Sequence, residues 1–240
     1  METKFNWICC DWTRVKNHCR TTVNKKFTEH KPSLEFKRKL LISEHSPIRT
    51  ILFDWSWEGM PSWVSVHFAR HKWEKFISTQ RDDRKEHEIS RADMPQGTPV
   101  DFDGFANMQN LIDSWRKRLC FQASPETRAY AEDFKVVLHE VFPELADVLV
   151  PNCIYRCGCP EMEMCKQRYF EQLRDYEKFN TISTDWFNIQ DRYDLYNRFF
   201  YKHYSCKPIN EVLDKHEVIN IDGNLYKLKI IEKEKENEIK

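Results

Sequence analysis

The chain has 240 residues, 40% of them hydrophobic and only five glycine, which is enough for one large or two small domains with a substantial core. Its 38 basic and 38 acidic side chains cancel, so no net field attracts nucleic acid or an anionic membrane, and any anion site must be local. The sequence contains no run of 18 apolar residues and no signal-peptide core, which predicts a cytoplasmic protein with neither a nucleic-acid nor a membrane partner.

The first third of the chain contains three predicted elements. Residues 1–31 are mixed and indicate a short packed element, whereas Ser33 is a plausible cap for a helix that ends at Ile42. Residues 51–57 are aliphatic and aromatic and predict a strand, and residues 58–61 predict the turn that ends it.

A second predicted helix begins at Pro61 and contains side chains that can bind an anion such as phosphate. The pattern places Arg70 in one stripe with Val66 and Trp73, so we expect its guanidinium to lie beside an apolar face, partly desolvated and strong as a phosphate ligand. The same segment adds His67, His71 and Lys72, and Arg81 follows the next loop. The alternative interpretation is a helix with a solvated basic edge.

Helices dominate the remainder of the predicted elements. Residues 81–103 are charged and rich in proline, and are predicted to form a loop or lid. Helices are predicted at 107–121, at 125–142 with Ser124 as the cap, and at 160–179 with Arg174. A further helix is predicted at 185–201, and its aromatic stripe indicates a core or an interface. A hairpin at 218–230 and a charged tail at 232–240 follow.

Nine cysteines without a secretion signal indicate reduced thiols rather than a disulfide scaffold. Four of them, Cys153, Cys157, Cys159 and Cys165, lie within thirteen residues. They supply enough sulfur for zinc or an iron–sulfur cluster, although the spacing is not that of a standard knuckle. The alternatives are small buried residues at a helix crossing, which we favour, so that no metal is expected, or a nucleophilic cysteine for which no base is evident.

Several motifs in order resemble the flavin-dependent thymidylate synthases over about residues 15 to 178. The signature is an Arg-His-basic triplet followed by a hydroxyl-x-Arg element. The matching stretches are Cys19-Arg20-Thr21-Thr22, Leu40 to Pro47 with His45, Arg70-His71-Lys72, Thr79-Gln80-Arg81-Asp82, and Glu144 to Pro151 followed by Tyr155 and Arg174.

The resemblance implies a fold and a set of site residues. The fold is α+β, a small antiparallel sheet with several helices in residues 1–180, followed in residues 181–240 by an appended aromatic helix, hairpin and tail. Arg70 and Arg174 would be catalytic. Substrate would contact His67, Arg70, Thr79, Gln80, Arg81 and Arg174, and the flavin would contact Thr22, His45, Arg70, His71 and Lys72.

The implied reaction is transfer of a one-carbon unit from methylenetetrahydrofolate to carbon 5 of dUMP, with FAD as cofactor and NADPH as reductant. Arg70 would polarise the pyrimidine so that carbon 5 gains electron density. The family's sites lie between the subunits of a homotetramer, so one chain would not complete a site.

The sequence also departs from the family pattern. Lys72 replaces an arginine, His67 stands at a usual glutamine, and Asp147 stands where the family has a nucleotide-binding arginine, with Arg156 the nearest compensating cation in sequence. Glu163 and Cys165 fall on positions that contact flavin in the family. Two alternatives therefore stay open: a pyrimidine nucleotide-binding relative with lost or altered flavin chemistry, and a scaffold that keeps only the fold.

Overall fold

The computed structural model describes residues 2–81, 90–165 and 169–204. The hairpin predicted at 218–230, the tail at 232–240, Asp82 and most of the charged part of the predicted lid lie outside the described residues.

A four-stranded antiparallel sheet forms the centre of the fold, in the order β1-β2-β4-β3. The strands are β1 (Lys4–Cys9), β2 (Leu52–Pro61), β3 (Glu74–Ile77) and β4 (Pro99–Asn107). The predicted strand is confirmed but continues through the predicted turn, because the irregularity between Trp57 and Met60 is a bulge in the pairing with β4, where Gly59 takes a φ of +64°.

Alternation along β2 separates the two faces of the sheet. Phe53, Trp55 and Trp57 point to one side and are fully buried, whereas Asp54 and Ser56 point to the other and both accept hydrogen bonds from Asn6 Nδ2 at 2.8 Å. Helices cover the aromatic face, where Trp55 packs edge to face on Trp57, Trp115 and Phe134. The core of the described residues thus lies between the sheet and the helices.

Strand β4 corrects the prediction of a loop through residue 103. Its register with β2 places Val100, Phe102, Gly104 and Ala106 on the buried face. The alternating aspartates Asp101 and Asp103 are exposed on the other face, so a charged, glycine-containing segment is a central strand because only its inward half needs to be apolar.

The helices agree with most of the predictions. They are α1 (Trp12–Thr22), α2 (Leu34–Ile42), α3 (Ser62–Ala69), α4 (Met108–Arg118), α5 (Pro125–Val141), α6 (Pro143–Ala146), α7 (Asn152–Arg156), α8 (Tyr169–Phe179) and α9 (Ile189–Tyr204). The caps predicted at Ser33 and Ser124 are confirmed, since each side chain accepts a hydrogen bond from a backbone N–H three residues on. In the helix predicted over 160–179, residues 161–165 are irregular, whereas Tyr169–Phe179 forms α8.

Helix α9 contacts α7 and α8 and contributes Tyr193, Tyr196 and Phe200 to the core, as its aromatic stripe predicts. The predicted α+β class with a small antiparallel sheet is confirmed, whereas the division at residue 180 stays a prediction. Within the described ranges, every helix is too short or too polar to cross a membrane.

Candidate functional site

The basic triplet lies just beyond α3 rather than on it. Helix α3 ends at Ala69, and Arg70, His71 and Lys72 turn the chain toward β3. The edge strand β3 pairs only with β4 among the described strands, so the triplet stands at the rim of the sheet. Arg70 and Lys72 are exposed there.

The predicted apolar neighbourhood of Arg70 is wrong. The buried side of α3 carries Val64 and Phe68, four residues apart and both fully buried, whereas Val66 is 52% exposed. The helix therefore turns the opposite stripe to the core from the one assumed, and Arg70 stays in solvent.

Arg118, the last residue of α4, holds the end of α3 in place. Its Nε donates a 2.7 Å hydrogen bond to His71 Nε2, and one of its terminal nitrogens donates a 2.7 Å bond to the carbonyl oxygen of His67. Lys75 Nζ donates similarly to the carbonyl oxygens of Ala69 and His71. Carbonyls at a helix C-terminus lack intrahelical partners, and cations satisfy them well.

The same contact fixes the protonation of His71. Burial, together with the charges of Arg118 and Lys75, lowers the pKa of His71 to about 4. The ring is neutral at pH 7, and because Nε2 accepts from Arg118, the proton resides on Nδ1. His71 also lies parallel to the Trp73 ring, with the centroids 6.3 Å apart.

His67 belongs to a different hydrogen-bond network. Its Nδ1 lies 2.6 Å from the hydroxyl oxygen of Thr127, which also accepts a 2.9 Å hydrogen bond from the Ser124 hydroxyl. Burial lowers the pKa of His67, and the charges of Arg118 and Arg70 add to the effect. His67 therefore joins the start of α5 to α3 beside the two arginines.

The second motif follows β3 directly. The Thr79 hydroxyl accepts a 3.2 Å hydrogen bond from the backbone N–H of Arg81. Gln80 Nε2 is buried and has no hydrogen-bond partner in the described part of the chain. A buried amide donor of this kind costs free energy unless a partner arrives, so Gln80 offers a group that a ligand can satisfy.

Arg174 stands apart from this group. Its guanidinium carbon lies 5.7 Å from the Trp186 ring, and it lines a cleft of about 320 Å³ together with Cys157, Met164 and Phe170. None of the predicted α3–β3 residues lines that cleft. Within one chain, the structure gives no direct contact between Arg174 and Arg70.

The two outlying flavin candidates lie on other elements. Thr22 ends α1 and donates from its hydroxyl to the carbonyl oxygen of Cys19 at 2.8 Å. His45 precedes the 3₁₀ helix at 46–50, which contacts α1. Both side chains are exposed.

The Asp147 side chain lies between α5 and α9, away from the basic residues at the rim of the sheet. Its Oδ1 lies 3.4 Å from His139 Nδ1, and its charge partly offsets the burial that lowers the pKa of Lys135 to about 7. Asp147 thus interacts with His139 and Lys135 on α5, and no ion pair in the described ranges joins it to Arg156.

The cysteine segment divides in space. Cys153, Cys159 and Cys165 line one small cavity, whereas Cys157 is exposed and its Sγ donates to the carbonyl oxygen of Trp186 at 3.2 Å. Every cysteine in the described part is free. As these residues stand, no three or more His, Cys, Asp or Glu side chains in the described ranges form a group that could hold a metal ion.

Sequence reasoning found the α3–β3 residues but missed Arg118, Lys75 and Thr127. A signal for Arg118 exists, because the run Arg116-Lys117-Arg118 ends a predicted helix. Which of those three cations reaches the triplet depends on how α4 packs against α3, and no local pattern carries that information.

No known family profile and no curated protein matches the sequence. Among solved structures, the chain resembles thymidylate synthase X from Helicobacter pylori with FAD and dUMP, with a TM-score of 0.52 and 12% identity over 62% of this chain and 99% of that one. It also resembles a UMP/dUMP methylase from Streptomyces cacaoi bound with 5-Br dUMP, with a TM-score of 0.50 and 12% identity over 61% of this chain and 93% of that one. This chain therefore has the fold of flavin-dependent thymidylate synthases and of a related nucleotide methylase.

Proposed function

We propose that this protein binds a pyrimidine nucleoside monophosphate and transfers a one-carbon unit to carbon 5 of dUMP, from methylenetetrahydrofolate, with FAD and NADPH supplying the reducing equivalents. The fold supports the proposal at the level of architecture, since the two similar structures carry dUMP or a brominated analogue. The residues at the rim of the sheet support it at the level of chemistry.

The observation that carries the proposal is the pair of neighbouring guanidinium groups, Arg70 and Arg118. Arg118 donates hydrogen bonds to His71 and to the carbonyl oxygen of His67, residues on either side of Arg70 in sequence. Burial lowers the pKa of Arg118, and the charge of Arg70 lowers it in the same direction. No carboxylate in the described ranges forms an ion pair with either. Cations without an acidic partner suit a phosphate dianion.

The roles of the remaining residues follow from their chemistry. Thr79, Gln80, Arg81 and His67 would contact the nucleotide, and Arg70 would withdraw charge from the pyrimidine. Lys72, as an exposed cation, and His71, as a neutral ring with an Nδ1–H, fit the phosphates and ring edge of a flavin. When bound, the flavin supplies the hydride chemistry, and the protein supplies orientation and charge.

The separation of Arg174 from Arg70 favours a site built by more than one copy of the chain. Arg174, on α8, would complete the site of a neighbouring subunit, as would Thr22 and His45 for the flavin. This agrees with the oligomer, a tetramer, that the resemblance implies. A cleft beside Trp186 presents the guanidinium at the surface, where a second copy can reach it.

A pyrimidine nucleotide-binding relative without flavin chemistry is the second candidate. Asp147 is engaged with Lys135 and His139 between α5 and α9. Glu163 and Cys165 belong to the segment that packs on the end of α4, where the Glu163 carbonyl oxygen accepts from Gln122 at 2.8 Å and Cys165 lines the thiol cavity. Neither of these arrangements requires a flavin nearby.

The test is the absorption spectrum of freshly purified protein together with its melting temperature with and without dUMP. Flavin absorbance and thymidylate formation with the folate donor and NADPH support the full proposal. A colourless protein that dUMP stabilises supports the second candidate. If dUMP leaves the melting temperature of the wild type unchanged, nucleotide binding is excluded and the fold serves another purpose. Arg14→Ala, at an exposed arginine on α1, is the control and should respond to dUMP as the wild type does.

A further inference from the structure

Three neighbours restrict His67 near the end of α3. Its carbonyl oxygen accepts a 2.7 Å hydrogen bond from Arg118, and its ring nitrogen Nδ1 lies 2.6 Å from the hydroxyl oxygen of Thr127 on α5. The Trp63 ring, four residues earlier on α3, packs edge to face against the imidazole with the centroids 5.7 Å apart. Both the position and the plane of the His67 ring are therefore fixed.

The first turn of α5 places Thr127 for this contact. Ser124 is the N-cap of the helix, and its hydroxyl oxygen accepts a 3.3 Å hydrogen bond from the backbone N–H of Thr127. The two hydroxyl oxygens then lie 2.9 Å apart, which is within hydrogen-bond distance. Thr127 is fully buried, so its hydroxyl finds its hydrogen-bond partners in Ser124 and His67.

The number of protons orders this short chain of hydrogen bonds. The Ser124 hydroxyl donates to the Thr127 hydroxyl oxygen, so the single hydroxyl proton of Thr127 is left for Nδ1 of His67. A neutral imidazole accepts at one nitrogen and carries its proton on the other. Because Nδ1 accepts, the proton of His67 lies on Nε2.

The charges around His67 keep the ring neutral. Burial lowers the pKa of His67, the charges of Arg118 and Arg70 lower it in the same direction, and the carboxylate of Glu126 opposes them without reversing the shift. An imidazolium would have to donate from Nδ1 and so turn the Thr127 hydroxyl the other way. At pH 7 the ring therefore has a single N–H group.

The Nε2 edge of the ring is the one that a ligand can reach. The two imidazole N–H directions diverge widely, so Nε2 points away from Thr127 when Nδ1 faces it. Within residues 2–81, 90–165 and 169–204, Nε2 takes part in no hydrogen bond. The His67 side chain is partly exposed, whereas Thr127 is fully buried. His67 thus offers an unused donor near Arg70 and Arg118.

We propose that Thr127 is a positioning residue that holds His67 with its Nε2–H outward, as a neutral donor to an acceptor oxygen of the bound nucleotide. The identity of the ligand rests on the proposed function, whereas the state of the ring does not. A carbonyl or sugar oxygen complements such a donor, and an N–H group of a base does not. A ring held in place before the ligand arrives also loses little freedom on binding.

The first experiment is NMR of the full chain labelled with ¹⁵N, without nucleotide, at pH 7.5. Long-range ¹H–¹⁵N correlations distinguish the two tautomers, and His67→Gln identifies the His67 signals among those of the nine histidines. We expect a protonated Nε2 and an unprotonated Nδ1 in the wild type. A protonated Nδ1 overturns the proposal. Because the tautomer is measured in the wild type, the result does not depend on how well any Thr127 variant folds.

The second experiment is a double-mutant cycle on dUMP binding, measured by isothermal titration. Thr127→Val removes the hydroxyl and keeps the side-chain size, and we expect it to weaken binding by about fivefold to tenfold, the usual effect of one hydrogen bond. Thr127→Ser, which keeps the hydroxyl, should bind as the wild type does. In the His67→Ala background, Thr127→Val should weaken binding no further.

The outcomes separate this proposal from the proposed function. Equal weakening by Thr127→Val in both backgrounds shows that Thr127 does not act through His67 and overturns the positioning role, as does unchanged binding in Thr127→Val. A wild type that carries the Nε2–H tautomer but does not bind dUMP contradicts the proposed function, and with it the nucleotide as the acceptor.

Discussion

Trp55 on β2 lies directly over Gly104, its partner across the pair of central strands. A Cβ atom added at Gly104 would stand 2.2 Å from Trp55 Cζ2, well inside van der Waals contact. The indole is fully buried and packs on the Trp73, Trp115 and Phe134 rings. The central strands therefore accommodate a tryptophan only because the opposite residue has no side chain.

Gly104→Ala is expected to lower the free energy of unfolding by at least about 2 kcal/mol, because the ring cannot move without displacing three other aromatic side chains. Chemical denaturation monitored by tryptophan fluorescence measures the change. Gly97→Ala is the matched control, since nothing lies within 4 Å of its added Cβ, and it should change stability by less than about 0.5 kcal/mol. Equal effects of the two substitutions would contradict the packing described.

Arg118→Met is expected to raise the pKa of His71 part of the way back from about 4 toward its ordinary value. Burial, the larger cause of the shift, stays, while the guanidinium charge and its hydrogen bond are lost. Titration of the His71 ring by NMR measures this, with the ring of His45 as an internal control. A His71 titration that is identical in wild type and variant would show that Arg118 does not act on it.

The same histidine makes stability depend on pH in a defined direction. The folded-state pKa of His71 is depressed, so between about pH 4 and 6.5 the unfolded chain binds a proton that the folded chain does not, and stability falls as the pH falls through this window. We expect His71 to account for about 2 kcal/mol of this loss after solvent screening. Urea denaturation at pH 7 and pH 4.5 should show a smaller loss for Arg118→Met than for wild type.

The buried Lys135 should make stability depend on pH above neutrality. Its ammonium is fully buried, donates to the Ala146 carbonyl oxygen and to Asn197 Oδ1 at 2.7 and 2.8 Å, and lies over three aromatic rings of α9. Because burial lowers its pKa to about 7, the unfolded chain binds the extra proton above pH 7, and stability should rise by up to about 1 kcal/mol per pH unit from pH 7 to 9. Lys135→Met should lose most of this rise. An equal rise in both proteins would assign it to other groups.

Arg174→Ala is expected to weaken dUMP binding by about 1.5 to 3 kcal/mol, the usual contribution of a charge-assisted hydrogen bond. Isothermal titration of dUMP measures the change, and Arg14→Ala should bind as wild type does. Unchanged binding in Arg174→Ala removes Arg174 from the site, without bearing on Arg70.

A site shared between copies predicts complementation. Arg70→Ala and Arg174→Ala are each expected to be defective, but after joint refolding a mixed oligomer should contain some sites with both arginines intact, up to about a quarter of the total in a random dimeric pairing. Recovery of dUMP binding in the mixture supports the shared site. No recovery, with mixed oligomers demonstrated by mass spectrometry, contradicts it.

Local elements and the basic residues of the candidate site could be predicted from the order of the amino acids alone. Ser33 and Ser124 cap their helices as predicted, since a cap depends on contacts within a few residues. The motif residues from His67 to Arg81 could also be identified, because a motif consists of residues that lie close together in sequence. Strand β4 was missed, because its alternating aspartates appear polar until the sheet assigns them an outer face.

Contacts between residues far apart in sequence became visible once the chain was folded. The fold joined Arg118 to His71, His139 to Asp147, and Cys120 to the cysteines beyond α7, and it separated Arg174 from Arg70 within the chain. It also turned the Val64–Phe68 stripe of α3 inward in place of the stripe that includes Arg70. Such pairings depend on helix packing over a shared core, and that packing is set by contacts between residues far apart in sequence, which no local periodicity records.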